Sequence, residues 1–264
     1  MRQDSRSAEM RFRFGENWAR FSRLIDEERI RVACSSLQEL LEGTDMNHCR
    51  FLDVGSGSGL FSLAARRLGA DVVSFDADPG SVECTADLKL EFFPNDGAWR
   101  VERGSILDSD YVGRLGTFDV VYSWGVLHHT GRLWEALDSA IRLVGPSGRL
   151  ATAIYNDQKW ISRYWLQVKT LYNRTPLLAG LMIAIHAPYL WGFRGAARIL
   201  LNRGPLPRGM SRWYDMMDWL GGYPFEVATP DAVVAFCRQR NLGLLKMKTC
   251  GRRHGCNEFV FSRV

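Results

Sequence analysis

The sequence predicts an α/β fold: a mostly parallel sheet with an antiparallel edge, helices on both faces, and one aromatic-rich helical insertion. Three observations carry this. Strand-like and helix-like patterns alternate from residue 50 onward, the order expected of parallel strands linked by crossover helices. FDVVYSWG (118–125) is apolar almost throughout, as a strand buried on both faces must be. Two strand-like runs, LGLLKMKTC and NEFVFSRV, close the chain around the short turn GRRHG, and so short a link makes them antiparallel.

The elements follow in order. GENWARFSRLIDEERIRVACSSLQELLE (15–42) has apolar residues at helical spacing and reads as one or two helices; residues 1–47 are assigned to an N-terminal helical cap. A strand at 50–54 precedes the glycine run FLDVGSGSG (51–59), and a helix follows from about Leu60 to Leu68, closed by Gly69. DVVSFDAD (71–78) is a second strand. Pro79 suits the first turn of a helix reaching about Leu90. WRVERGSILD (99–108) is a third strand with its loop, and 118–125 is the fourth. RLWEALDSAIRLV (132–144) is a helix ended by Gly145-Pro146, and GRLATAIYN (148–156) is the fifth strand. TPDAVVAFCRQRN (229–241) opens on Thr and Pro as a helix should. The main domain therefore takes 48–156 and 223–264, and residues 157–222 interrupt it.

Composition is that of a soluble globular chain: 264 residues, 46% apolar and 24% charged. The charged N-terminus MRQDSRSAEMRFRF has no apolar core of a signal peptide. Six cysteines without a CxxC pair read as reduced thiols. The expected address is the cytoplasm, with a peripheral place at a membrane left open by the insertion. Residues 157–222 hold nine Lys/Arg against three Asp, and five of the nine tryptophans, so most of the net charge of +5 sits there.

The glycine run poses the question of its ligand. A dinucleotide fingerprint needs G-x-G-x-x-G, but the glycines are Gly55, Gly57 and Gly59 and position 60 is Leu60. Asp53 lies two residues ahead of them. A carboxylate there can support the turn and face a cationic amino group, whereas a pyrophosphate prefers bare amides at a helix N-terminus. Asp76, at the end of the second strand, can take both hydroxyls of a ribose. LDVGSGSG, VVSFD, GSILD and FDVVYSWGVLHH, in that order, resemble the motif set of class I S-adenosylmethionine-dependent methyltransferases, closest to the small-molecule enzymes of quinone and natural-product pathways. The resemblance covers about 48–156 and, more weakly, 229–263. It implies a Rossmann-like methyltransferase sheet and S-adenosylmethionine as cofactor, with S-adenosylhomocysteine as product. It also implies Asp53, Gly55, Gly57 and Gly59 along the methionine portion, Asp76 and Ala77 at the ribose, Ser105 and Ile106 at the adenine, and Ser123 and Trp124 lining the cofactor. Ser105 stands where such families often carry Asp, and Asp108 is near enough to serve. FGENW (14–18) would fold over the cofactor.

SWGVLHHTG (123–131) follows the fourth strand on the carboxyl edge, where open α/β sheets bind ligands. Methyl transfer needs a nucleophile in line with the S–CH₃ bond, and positioning supplies about 7–11 kcal/mol of the barrier. A proton-bearing acceptor gains roughly 10²–10⁴ from a base, so His128 or His129 is the candidate base, the alternative being that both only shape the pocket. Tyr155 and Asn156, ending the fifth strand, are substrate-contact candidates, and Asp215, Asp218 and Trp219 could add polar and aromatic groups to the cleft. No metal is expected: adjacent histidines diverge, no HExxH occurs, and Cys250, His254 and Cys256 lack a fourth ligand.

TPLLAGLMIAIHAPYLWGF (175–193) has 19 uncharged residues, near the roughly 20 that span a bilayer. A single span would part strands of one sheet, so the stretch must be buried, paired with a second copy or laid on a membrane surface. On the preceding helix Ile161, Trp165, Val168 and Tyr172 share a face, with Arg163 and Lys169 placed elsewhere on the wheel. A lid over a small-molecule acceptor, a membrane-surface element and a homodimer contact all fit. Nucleic acid is disfavoured, because long apolar stretches dilute the basic residues.

Overall fold

The computed structural model describes residues 12, 14–193, 212–251 and 255–264. Two helices, α1 (Phe14–Ser22) and α2 (Glu27–Leu40), precede β1 (Arg50–Val54). Asp26 caps α2 by accepting from Arg29 N–H. There follow α3 (Leu60–Arg67), β2 (Asp71–Asp76), α4 (Pro79–Phe92), β3 (Trp99–Arg103), α5 (Ser109–Leu115), β4 (Phe118–Trp124), a 3₁₀ turn (Leu127–His129), α6 (Leu133–Arg142) and β5 (Val144–Tyr155). The insertion forms α7 (Trp160–Tyr172), α8 (Pro176–Ala187), a π turn (Pro188–Phe193) and α9 (Arg212–Gly221). The chain closes with α10 (Pro230–Arg238), β6 (Leu242–Lys248) and β7 (Cys256–Arg263).

The seven strands form one sheet in the order β3-β2-β1-β4-β5-β7-β6. β1 to β5 run parallel, and β7 lies antiparallel between β5 and β6. The order reverses between β1 and β4, and the carboxyl ends of strands at such a switch point are where open α/β sheets bind ligands. Strand alternation splits the core into two layers. Leu52, Val54, Phe75 and Val121 pack on one face beneath α5, α6 and α10. Phe51, Val72, Val120 and Tyr122 pack on the other beneath α1 to α4. All six cysteines are free thiols.

Two local departures from the sequence pattern have plain causes. Residues 109–115, to which the sequence pattern assigns no element, are helical: Asp108 accepts from the amides of Asp110 and Tyr111, and Tyr111, Val112 and Leu115 are buried. Seven residues are too few for periodicity to announce such a turn. β5 begins at Val144 rather than 148, taking in Gly145-Pro146 across a register shift opposite Phe118–Val120.

The insertion has its own small core of Trp165, Val168, Met182, Met216 and Leu220. Lys169 corrects the helical-wheel reading. It is not on an outer face of α7 but has no exposed surface at all. α7 packs against α8 and α9, and the rings of Tyr155, Trp219 and Phe225 close around the lysine, so the buried arc is wider than one apolar stripe. Among the described residues no helix is long and apolar enough to cross a membrane.

Candidate active site

The site is built on two sets of loops. In the first, the chain leaves β1 through Gly55, Gly57 and Gly59, at φ of 74°, 56° and 78°, the left-handed region that costs a side chain about 1–2 kcal/mol. Space is as restrictive as conformation. A methyl group at Gly55 would stand 2.5 Å from Val126 Cγ1, and one at Gly57 would stand 3.0 Å from the Trp18 indole nitrogen.

Asp53 is buried and accepts from Ser62 Oγ at 2.5 Å. Ser74 Oγ in turn donates to Ser62 Oγ at 2.7 Å, and Trp99 Nε1 donates to Ser74 Oγ at 2.9 Å. This chain of bonds fastens β1 to α3, β2 and β3 directly beneath the glycine turn. Asp76 closes the turn from above, accepting from Gly57 N–H at 3.1 Å and from Asp78 N–H at 2.9 Å. Burial pushes its carboxyl up to about 6, against the lowering effect of the amides of Asp78, Gly57 and Ala77. Ala77, beside it, is exposed.

Asp78 caps α4 through the amides of Gly80 and Ser81 and also accepts from Gly15 N–H at 3.3 Å. α1 thus lies across both loops, with Gly15 on the second and Trp18 on the first. Ile106 belongs to the core. Ser105 Oγ accepts from Leu107 N–H at 3.2 Å, and the Asp108 carboxylate is occupied as the cap of α5. Ser123 is fully buried and donates to Val54 C=O at 3.5 Å, while Trp124 stacks on Tyr122.

The second set meets beyond β4 and β5. His128 is fully buried, its ring 3.9 Å from that of Tyr155. Tyr155 N–H donates to His128 Nδ1 at 3.3 Å, so the ring proton sits on Nε2, a buried nitrogen with no hydrogen-bond partner among the described residues. His129 has the opposite tautomer: Nδ1–H donates to Pro224 C=O at 2.6 Å, leaving the Nε2 lone pair available. Gly222 keeps that edge clear, since a methyl there would stand 3.2 Å from Nε2. Burial, with the nearby Lys169 charge, drives His129 down to about 3. Burial also drives His128 well below the ordinary histidine range, helped by His129 and Lys169.

Lys169 completes this group. Its Nζ donates to Trp219 C=O and lies 5.5, 5.1 and 4.9 Å from the ring centres of Tyr155, Trp219 and Phe225. Burial lowers its ammonium to about 7, partly offset by Asp218 and Cys256. Asp218 accepts from Asn17 Nδ2 at 2.7 Å, tying α9 to α1. Asn156 points elsewhere: its amide donates to Gly251 C=O and accepts from Asn257, on the side of the terminal hairpin, as alternation along a strand requires of the neighbour of Tyr155. His254 and the Asp215 side chain lie outside the described residues. Among the described residues no cluster of three or more His, Cys, Asp or Glu could hold a metal.

The sequence thus pointed to both histidines, Tyr155, Asp218 and Trp219, and missed Lys169, Phe225 and Ser62. The signal for the lysine was its place four residues after Trp165 on the same helix. A groove of about 340 Å³ between α2 and β6, lined by Ser35, Glu39 and Lys246 among others, contains none of these groups.

The family described as Methyltransferase domain matches residues 25–182, more than half of the chain. The chain belongs to this methyltransferase family. Over 102 residues the methyltransferase is 35% identical to a mitochondrial ubiquinone biosynthesis O-methyltransferase of Schizosaccharomyces pombe, covering 38% of this chain and 36% of that one. It is 25% identical over 164 residues to a ubiquinone biosynthesis O-methyltransferase of a Caulobacter strain, covering 55% and 64%. The chain therefore spans from about a third to just under two thirds of these curated relatives. The solved magnesium protoporphyrin IX methyltransferase of Synechocystis, with bound S-adenosylhomocysteine, aligns at a TM-score of 0.54 and 12% identity, over 90% of this chain and 84% of that one. That is a likeness of fold.

Proposed function

We propose that this methyltransferase moves a methyl group from S-adenosylmethionine to an oxygen of a small, apolar or aromatic-containing acceptor. The observation that carries the reading is the juxtaposition at one sheet edge. The glycine turn, Asp53 and Asp76 stand at the topological switch point, and an aromatic-walled box stands beside them with both histidines and a lysine inside. The first set holds the cofactor: Asp53 and the three glycines at the methionine end, Asp76 and Ala77 at the ribose, Ser105 and Ile106 at the adenine, and Ser123 and Trp124 along the wall.

The box of His128, His129, Tyr155, Trp219 and Phe225 takes the acceptor. His128 Nε2–H donates a hydrogen bond to the acceptor oxygen and the neutral ring of His129 flanks it, so the pair orients the oxygen toward the sulfonium methyl. With its conjugate acid near 3, His129 orients the hydroxyl rather than storing its proton at neutral pH. Oxygen is favoured as the methylated atom because the curated relatives above are named O-methyltransferases.

The outward side of the insertion supports a place on an anionic lipid surface. Leu177, Leu181, Ile185 and Tyr189 are exposed in one row, and Trp160 and Tyr164 on α7 are exposed as well. Lys159, Arg163 and Arg174 are exposed nearby, and residues 158–193 contain no acid. The basic residues make a lipid surface a better fit than a second copy of the same positive face.

The test is calorimetric titration with S-adenosylhomocysteine, with NADH in parallel. S-adenosylhomocysteine should bind and NADH should not, and Asp53→Ala should lose the binding. Binding of NADH alone would overturn the reading, and binding of neither would point to a non-catalytic member of the fold.

A further inference from the structure

Lys169 has no exposed surface, yet no carboxylate lies within ion-pair distance of it among the described residues. Among the described residues its Nζ donates to one backbone carbonyl, that of Trp219, and the faces of three aromatic rings wall it in. An enclosed amine of this kind is costly to fold around unless it has work to do. A second enclosed polar atom, His128 Nε2, lies against the same Tyr155 ring without a partner. An amine with one hydrogen bond and a histidine nitrogen with none, in one apolar box, call for an oxygen that is not supplied by the protein.

We propose that Lys169 takes the proton from the acceptor hydroxyl, and that the acceptor carries an ionisable ring hydroxyl whose anion pairs with the lysine inside the box. This rests on the methyltransferase reading above and adds to it the base and the acceptor class. The neutral amine removes the proton: the O–H bond breaks, an N–H bond forms, and an aryloxide is left beside an ammonium. The oxygen then attacks the sulfonium methyl. The O–C bond forms, the S–C bond breaks with its electron pair remaining on sulfur, and the methyl ether and S-adenosylhomocysteine leave as neutral partners. The ammonium returns its proton to water.

The surroundings of the amine agree with this cycle. It is faced by His128 and His129 from the 3₁₀ turn, Tyr155 from β5, Asp218 from α9 and Cys256 from β7. Both histidines are held neutral, so neither competes for the proton. An amine brought to about 7 is half neutral near physiological pH, where a base is most effective. The rings of Tyr155, Trp219 and Phe225 exclude water from the ion pair and strengthen it.

The probe is 4-nitrophenol, whose ionised form absorbs in the visible, titrated into wild type, Lys169→Met and Lys169→Arg. S-adenosylhomocysteine affinity is measured on each protein. Wild type should bind the dye as its anion, with the ionisation constant raised at least tenfold over free dye. Lys169→Met should lose that shift while keeping S-adenosylhomocysteine affinity within about twofold, and Lys169→Arg should keep the shift because the charge persists. Dye that is unbound, bound un-ionised, or ionised equally well in Lys169→Met would overturn the assignment. Failure to bind S-adenosylhomocysteine would instead strike the methyltransferase reading, whatever the dye does.

Discussion

Gly55→Ala tests the packing of the glycine turn most sharply. Two costs add. The backbone is at φ 74°, worth about 1–2 kcal/mol against an L side chain. The new methyl would also stand 2.5 and 2.6 Å from the two methyls of Val126, an overpacking that costs about 1–3 kcal/mol. The sum, about 2–5 kcal/mol, is a large part of the 5–15 kcal/mol that holds a domain folded. Gly43→Ala supplies the comparison. Its φ is 76°, and the nearest atom to a new methyl is the Arg149 guanidinium at 3.8 Å, so it should show the conformational cost alone. Urea unfolding should place Gly55→Ala below Gly43→Ala by about 1–3 kcal/mol. Adding Val126→Ala to the first should recover much of the gap. Equal midpoints for the two glycine variants would show that the turn is not packed against Val126, and the reasoning would fail with it.

Asp76 makes stability depend on pH. Its folded carboxyl keeps its proton up to about 6, higher than in the unfolded chain. The contribution is therefore present in full below about pH 4 and is lost as pH rises through about 6, up to roughly 3 kcal/mol at 1.36 per unit. Asp76→Asn should flatten that slope in urea titrations between pH 4 and 7, while weakening S-adenosylhomocysteine at least tenfold. Steady stability in wild type across that range would contradict the burial of the carboxyl. Leu181→Glu with Ile185→Glu changes only exposed positions of α8, so stability should move by under about 0.5 kcal/mol per site. Sedimentation with vesicles rich in phosphatidylserine should lose the protein, and a change in oligomeric state instead would assign the row to a second copy.

The fold was legible because its signals are local and repeated. Apolar 118–125 fixes a central strand, and the short turn between the last two strands forces the antiparallel edge seen in the pairing of β6 with β7. The loops proposed to hold the cofactor were equally open to reading, since Asp53, the glycines and Asp76 lie within 24 residues of one another. The box was not. Its members come from the 3₁₀ turn, the end of β5, α7, α9 and the 222–228 loop, and no spacing in the sequence records that they meet. Lys169 was hidden most completely. A basic residue among aromatics is ordinarily a solvated charge with a buried stem, and only the packing of α9 and Phe225 around α7 reverses that expectation.

The bond chain from Asp53 through Ser62 and Ser74 to Trp99 has a consequence for specificity as well as for geometry. It stays wholly within the first three strands and the helix that follows the glycine turn, so the half proposed to hold the cofactor is braced by its own side chains. The aromatic walls around Lys169 are drawn instead from residues 155–225, and α1 joins the two sets through the bonds from Asn17 to Asp218 and to Tyr214 C=O. Under the proposed reading, substitutions in the second half would change what is methylated without retuning the bond chain beneath the glycine turn.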